Sequence, residues 1–301
     1  MKKQTILATC ASVGAQVIFG FSFMFTKIAL DYASPMTIVA DRYIIAFLVM
    51  TIIMLLSRQR IKLGRNVWKI VVMSLFQPFL YFIFETYGLQ MTTSAFSSVM
   101  ISLIPVAAMI CGIFVLKEIP TYLQFLFSAI SVAGVSIMAL SGKSEGTVTF
   151  LGIILLLGAV FSSCGFNLTS RKFSEEFSAL ERTYATTIIG AVTFTLMALV
   201  ENCGDVTLFL APFNKSAFVA GILYLSVGSS VIGFFLLNYA NTYLTVARTT
   251  VFSNITTVVS VFAGVMFLNE KITTLGIFSV VMIIVGVTGV QLLGKKLDKQ
   301  A

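Results

Sequence analysis

Three ionisable side chains stand where water should be scarce: Asp41 and Arg42 within one long apolar run, and Glu85 within the next. An ionisable group near the centre of a bilayer costs at least a few kcal/mol, so such residues pair with one another or mark the path of a solute or proton. Gln77, Tyr81 and Glu85 recur at i, i+4 and i+8, which puts an amide, a phenol and a carboxylate along one side of a single helix. This stripe is the best candidate for a cavity wall. It could bind the ammonium or amide of a small metabolite, while Arg42 could receive a carboxylate through paired hydrogen bonds. At ~1.5 Å per residue, Arg42 lies roughly 10 Å below the start of its span at Pro35, and Glu85 lies roughly 7 Å below Gln90. Their matched depth leaves two readings open: a structural Arg42–Glu85 ion pair that joins two helices, or direct contact with a solute or proton. If Glu85 titrates, it could couple a solute's passage to protons or another ion.

Asn167 and Asn238 carry larger amides that need partners in hydrocarbon, so both are cavity candidates. Thr249, Ser253, Thr256 and Ser260 trace one helical face, and Ser94, Ser98 and Ser102 do the same on an earlier helix. Small hydroxyls serve close helix packing more often than ligand binding; of these, Ser253 is taken into the candidate site. Phe19, Phe21, Phe23 and Phe25 alternate at period two, so they should surround their helix instead of lining one pocket. Lys27 reads as snorkelling to the outer interface, and Arg248 has the same default reading. Glu175, Glu176 and Glu181 beside Arg171, Lys172 and Arg182 look like a solvated linker.

Much chemistry is excluded. With no His in the chain, Ser-His-Asp catalysis and His-ligated metal sites are ruled out. Cys10, Cys111, Cys164 and Cys203 fall mostly inside apolar runs without metal-ligand spacing, so no zinc site or disulfide framework is expected. No catalytic residue, metal or cofactor is expected, and the chain does not read as an enzyme. A GxxxxGK[ST] phosphate loop is absent, which argues against an ATP-driven process. Energy must come from a solute's own gradient or from a coupled ion.

The elements that position these residues follow from composition. Of 301 residues, 58% are hydrophobic and 11% charged, against roughly 45–50% and 25% in soluble domains. A water-soluble globule is nearly excluded. Runs such as Gln4 to Thr26 and Thr249 to Asn269 contain no charge, and about 20 apolar residues cross the hydrocarbon layer. Cutting at charges, turn residues and prolines gives helices near 6–29, 35–57, 67–89, 93–116, 121–141, 148–171, 179–200, 216–238, 246–268 and 273–294. Met1-Lys2-Lys3 opens a retained first helix, because the apolar stretch before Cys10 is too short for a signal peptide. Pro35 and Pro120 open spans, whereas Pro78 and Pro105 fall inside spans and should kink them.

The formal charge of +8 reads as topology and not as a nucleic-acid footprint. With a cytoplasmic N-terminus, inner segments carry Lys2, Lys3, Arg58, Arg60, Lys62, Arg65, Lys69, Lys117, Arg171, Lys172, Arg182, Lys295, Lys296 and Lys299. Outer loops then carry only Lys143, Lys215 and Lys271. This asymmetry sets both termini in the cytoplasm of a multi-pass protein of the cell membrane.

The sequence also repeats. At one constant offset Gly14-Ala15 meets Gly158-Ala159, Ser34 meets Ser178 and Ile44-Ile45 meets Ile188-Ile189. At a slightly longer offset Tyr87 meets Tyr239, Thr93 meets Thr245, Gly112 meets Gly264, Glu118 meets Glu270 and Gly134 meets Gly286, the extra residues falling in the loop Asn202 to Asn214. The unit is five helices, residues 1–141 and 142–301. Five is odd, so the two copies must run in opposite directions, a recurring plan of secondary transporters with the solute held near the midplane.

Phe19-Gly20-Phe21-Ser22-Phe23 with Lys27, then Arg42, Tyr87-Gly88-Leu89, Thr93-Ser94-Ala95, Pro105 and Leu116-Lys117-Glu118 resemble the EamA-type branch of the drug/metabolite transporter superfamily. In the second copy Leu268-Asn269-Glu270 and the glycine-containing last span carry the likeness, with Thr257 where the family has a second proline. The resemblance implies an all-α integral membrane fold, ten transmembrane helices as two inverted five-helix repeats. It also implies a secondary exporter of a small metabolite such as an amino acid, acting by alternating access. The rival readings are a sugar- or nucleotide-type carrier of the same superfamily and a membrane adaptor without transport activity, which would have no need of Arg42 and Glu85. Partners are thus a small-molecule substrate and the lipid bilayer, with no nucleic acid; substrate identity, coupling ion and oligomeric state are left open.

Overall fold

The computed structural model describes residues 2–57, 66–115, 121–144, 148–244, 249, 252–270 and 272–297, and these are helical almost throughout. Leu116-Lys117-Glu118, Arg58, Arg60, Lys62, Arg65, Thr245, Arg248, Lys271 and Lys299 lie outside the described residues. The first half contributes α1 (Lys2–Leu30), α2 (Pro35–Ser57), α3 (Val67–Gln90), α4 (Ser94–Ile101), α5 (Ile104–Val115) and α6 (Tyr122–Ser144). The second contributes α7 (Phe150–Lys172), α8 (Ala179–Glu201), α9 (Ser216–Tyr243), α10 (Ser253–Leu268) and α11 (Thr274–Leu297). Among the described residues six helices, α1, α2, α3, α7, α8 and α9, are long and apolar enough to cross a membrane. The apolar stretches Ser94–Ala107, Tyr122–Met138, Ser253–Leu268 and Thr274–Gly289 are shorter.

Helix starts follow local chemistry. Thr93 accepts a hydrogen bond from Phe96 N, Thr149 from Gly152 N, and Ser178 forms a reciprocal capping box with Glu181, each satisfying amides that the first helical turn leaves free. The long loop after α8 is not bare: it holds a short helix, Thr207–Leu210. Asp205 accepts from the hydroxyl and the backbone N–H of Thr207, which hold its carboxyl below the ordinary carboxylate range.

Both interior prolines interrupt their helices, as a missing N–H and a ring clash require. Before Pro78, Gln77 is extended (φ −150, ψ 119) inside a π-helical turn, Leu75–Leu80, in keeping with the extended bias of a residue preceding proline. Around Pro105 the chain breaks at Ser102 and Leu103, dividing the single span expected at 93–116 into α4 and α5. A second π-helical stretch, Tyr224–Gly233 within α9, has no proline and was not foreseen from the sequence.

The halves interleave instead of sitting side by side. α1 packs on α9 and α10, and in counterpart α7 packs on α3 and on α4 and α5; α2 meets α8, α4 meets α10, and α6 meets α11. Exchanging the halves maps every one of these pairings onto another or onto itself. Tyr43 of α2 shows how tight the seams are. It lies between Phe82 and Phe194, ring centroids 5.6 Å away on each side, and Gly190 of α8 abuts its face. Away from the seams, large apolar side chains such as Leu55 (73% exposed) and Leu56 (79%) point outward.

A methyl added at Gly190 would lie 2.7 Å from Tyr43 Cγ, and a ring boxed in by two other aromatics has nowhere to go. Gly190→Ala is therefore expected to cost about 1–3 kcal/mol, read as a lower thermal midpoint of the detergent-solubilised protein. An unchanged midpoint would mean that α2 and α8 are not in tight contact.

Candidate functional site

Between the halves lies a cavity, partly open, within about 690 Å³ of empty space that includes open solvent. Its walls come from α1 (Gln16, Phe19, Ser22, Phe23), α2 (Arg42), α3 (Gln77, Tyr81, Phe82, Glu85), α4 and α5 (Ile101, Ile104), α7 (Ser163, Asn167), α9 (Ser229, Phe234, Leu237), Thr249 and α10 (Ser253, Thr256). Six of the seven sequence candidates, Arg42, Gln77, Tyr81, Glu85, Asn167 and Ser253, meet there.

Arg42 is 3% exposed. Its Nε donates to Ser230 Oγ at 2.6 Å and its Nη2 to Ser229 Oγ at 2.8 Å, while the guanidinium lies over the Phe82 ring, 4.3 Å from its centroid. A guanidinium out of water must satisfy its N–H groups on protein. The π-helical stretch of α9 provides two successive hydroxyls for this. Arg42 is thus a first-half charge fastened to the second half.

The expected structural ion pair is not formed. Within 4.0 Å, the ion pair among the described residues is Lys69–Glu176, and Glu85 instead accepts from the Thr86 hydroxyl at 3.2 Å. Serines displaced the carboxylate as partners of Arg42, because hydroxyls neutral in charge can satisfy N–H groups and the backbone irregularity of α9 turns two of them inward. Glu85 (4% exposed) and Gln77 (6% exposed) remain on the cavity wall, and Gln77 Oε1 has no hydrogen-bond partner. An acceptor buried and unpaired costs roughly 1–3 kcal/mol, a cost that a donor entering the cavity would remove.

Asn167 is held by both ends of its amide: Nδ2 donates to Ser163 O at 3.0 Å and Oδ1 accepts from Asn241 Nδ2 at 3.2 Å. Across the cavity, Thr256 Oγ1 donates to Gln16 Oε1 at 2.7 Å. Ser260 and Thr257 bond Ser94 O and Ser98 O, so the hydroxyl face of α10 divides between cavity and packing. Ser98 and Ser102 turn back onto Ala95 O and Val99 O.

Asn238 is the exception. It is wholly buried but does not line the cavity: Oδ1 accepts from Ser170 Oγ at 2.9 Å, and Nδ2 donates to Thr183 Oγ1 at 3.0 Å. It belongs to a knot around Arg182, itself 0% exposed, whose Nη1 reaches Ser170 O at 2.6 Å and whose Nη2 reaches Asn238 O at 2.8 Å. Arg171 joins by donating to the carbonyls of Asn241 and Thr242. The linker read as solvated is therefore largely structural: Arg182 ties α7, α8 and α9, Glu181 caps α8, and Glu176 pairs with Lys69.

Two further expectations are corrected. Lys27 does not simply snorkel; its ammonium bonds Leu89 O at 3.0 Å and Thr92 O at 2.5 Å, capping the C-terminal carbonyls of α3. Phe19 and Phe23, one helical turn apart, both line the cavity, whereas Phe25 stacks on Tyr224. The period-two pattern hid an i, i+4 pair. Gln16, Ser163 and Ser229 are cavity residues that sequence reasoning missed. Gln16 and Ser229 carried a usable signal: an amide in an uncharged run, and a Ser-Ser pair flanked by Gly228 and Gly233.

Comparison with known proteins yields consistent findings. A family model described as the EamA-like transporter family matches residues 6–140 and again residues 150–292. The chain is 34% identical over 293 residues, covering 96% of it and 94% of the relative, to "Uncharacterized transporter YcxC" of Bacillus subtilis (strain 168). It is 27% identical over 195 residues, 61% of each chain, to "S-adenosylmethionine/S-adenosylhomocysteine transporter" of Chlamydia muridarum (strain MoPn / Nigg). One crystal structure shares the fold at a TM-score of 0.70 with 17% identity, covering 98% of this chain and 99% of the other.

Asn238→Ala would leave the hydroxyls of Ser170 and Thr183 without this partner in a closed interior. We expect a loss of about 1–3 kcal/mol in stability, measured as a fall in the thermal midpoint. A midpoint equal to that of the parent chain would contradict the buried knot.

Proposed function

The chain belongs to the EamA-like transporter family and is a multi-pass membrane transporter of a small molecule, and from that premise we propose that it is a secondary exporter of a small metabolite such as an amino acid, working by alternating access. The carrying observation is the cavity between the halves, with an Arg42 of one half bonded to Ser229 and Ser230 of the other. Arg42 receives a carboxylate, and the acceptors Glu85 and Gln77 receive an ammonium or amide. Phe19, Phe23, Phe82 and Phe234 enclose the apolar remainder. A relative that carries S-adenosylmethionine, a molecule with an amino-acid end on a larger body, supports this division of the site.

Ten crossings in two inverted five-helix copies, 1–141 and 142–301, are favoured by the helix pairings, which are preserved when the halves exchange. The Lys and Arg asymmetry supports two cytoplasmic termini in the cell membrane. Sliding between two packings of similar free energy suits helices in contact through Gly, Ala and Ser. Without a phosphate loop in the sequence, the driving force is the solute's own gradient or a coupled ion, for which Glu85 is the candidate carrier.

Counterflow of labelled amino acids, amines and sugars into liposomes holding the purified chain tests this. We expect exchange of at least one amino acid, reduced roughly tenfold or more by Arg42→Ala, since hydrogen bonds to charged groups are worth about 1.5–3 kcal/mol. Exchange that survives Glu85→Gln would assign Arg42 to carboxylate recognition and remove proton coupling at Glu85. Absence of counterflow for every solute class would overturn the proposal.

A further inference from the structure

Among the described residues the two ends of the bundle are held together differently. At one end, α1 finishes, α2 starts, α3 finishes and α4 starts, and two second-half carboxylates reach across to these turns. Glu201, the last residue of α8, accepts from Met36 N at 3.0 Å and Ser34 Oγ at 2.5 Å through Oε2, and from the Tyr87 hydroxyl at 2.6 Å through Oε1. Its neighbour Asn202 donates to Thr37 Oγ1 at 2.7 Å. Glu270, just past α10, accepts from Ser94 N at 2.7 Å and Ala95 N at 3.1 Å.

The two arrangements are alike. Each places a carboxylate from the C-terminal end of a second-half helix on the free amides that open a first-half helix, where the helix dipole and charge-assisted bonding both favour an anion. Gly264 makes the second one possible, because a Cβ there would lie 2.6 Å from Glu270 Oε2 and 2.9 Å from Ser94 Oγ.

Among the described residues the opposite end shows a weaker grip, and Glu118, the repeat counterpart of Glu270, lies outside them. There Glu176, 36% exposed, pairs with Lys69 and accepts from Asn66 Nδ2 at 2.8 Å across the halves, and contacts so near solvent contribute little. The strong bonds at that end, those of Arg182 and Arg171, lie within the second half. The cavity is biased the same way: it runs from Arg42 and Glu85 toward Asn167, Thr249 and Ser253, away from Glu201 and Glu270.

We propose that Glu201 and Glu270 are the gate of the transporter: their bonds to the first-half helix starts hold one face shut while the cavity serves the other, and their release lets that face open. This rests on the alternating access proposed above, and it assigns residues outside the cavity to the transport cycle as positioning groups. Neither carboxylate touches the solute.

The test reads access from each side and does not depend on knowing the solute. Ile104→Cys places a thiol on the cavity wall, and labelling by a membrane-impermeant thiol reagent is followed by peptide mass spectrometry in right-side-out and inside-out membrane vesicles. Native Cys203, exposed beside Glu201, reports which end faces the reagent. With the gate intact, the introduced cavity thiol should label mainly from the end opposite Cys203. Adding Glu201→Ala and Glu270→Ala should raise its labelling from the Cys203 side by about tenfold, the shift expected when several charge-assisted bonds are lost from one of two states. Tyr87→Phe removes one donor and keeps the ring, so a chain too unstable to bear both alanines still gives a reading, a smaller shift in the same direction. Side preference unchanged in folded Glu201→Ala, Glu270→Ala and Tyr87→Phe chains would overturn the gate and leave two ordinary helix caps. A shift in side preference with no counterflow of any solute would support the gate while removing the transport reading.

Discussion

Hydrocarbon offers nothing to hydrogen-bond with, and that constraint organises this protein. A buried donor or acceptor left unmet by another part of the chain is costly there, so polar side chains gather in the seams between helices. Arg42 is the clearest instance. A guanidinium carried inward on α2 binds Ser229 and Ser230 of α9, and in doing so it couples one half of the molecule to the other at the wall of the cavity. Lys27 on the end of α3, Arg182 among α7, α8 and α9, and the carboxylates of Glu201 and Glu270 obey the same rule at different depths. At Arg42, Glu201 and Glu270 the partners come from the opposite half, which helps to interleave the two.

Regular helices alone would leave little room inside such a bundle. The space arises where the helices fail: the extended Gln77 before Pro78 and the π-helical turn Leu75–Leu80 in α3, the break ahead of Pro105, and the π-helical stretch Tyr224–Gly233 in α9. Each irregularity turns something toward the cavity or bends a wall around it. Gln77 presents an acceptor without a partner, and α9 presents the serines that anchor Arg42. Irregular backbone at this depth is tolerated when it borders a cavity or is enclosed by protein, so shape and chemistry of the site have one origin.

The long elements were legible in the sequence because apolar run length and charge placement are read directly by a bilayer-like environment. The i, i+4, i+8 stripe of Gln77, Tyr81 and Glu85 survived even the break at Gln77, since the wall they form is set by which side of α3 faces the partner half. What sequence spacing could not supply was the identity of partners across helices. It offered Glu85 to Arg42 on grounds of charge and depth, but the serines of an unforeseen π-helical stretch took that place. Asn238 and Arg182 failed for the opposite reason. One was read as cavity-lining and the other as solvated, yet they bond each other's surroundings in a closed interior. Glu201 carried no distinctive spacing and Glu270 stood out only as the repeat match of Glu118; the partners of both emerge only when helix ends from both halves are brought together.

A solute lying between the two halves, near Arg42, has to exclude water from the cavity walls, and reactivity at Ser253 reports whether it does. A cysteine introduced by Ser253→Cys should react with an impermeant thiol reagent severalfold more slowly when a transported solute is present at saturating concentration, and a solute that is not transported should leave the rate unchanged. Equal reactivity with and without every transported solute would place the solute's path elsewhere, outside the space between the halves.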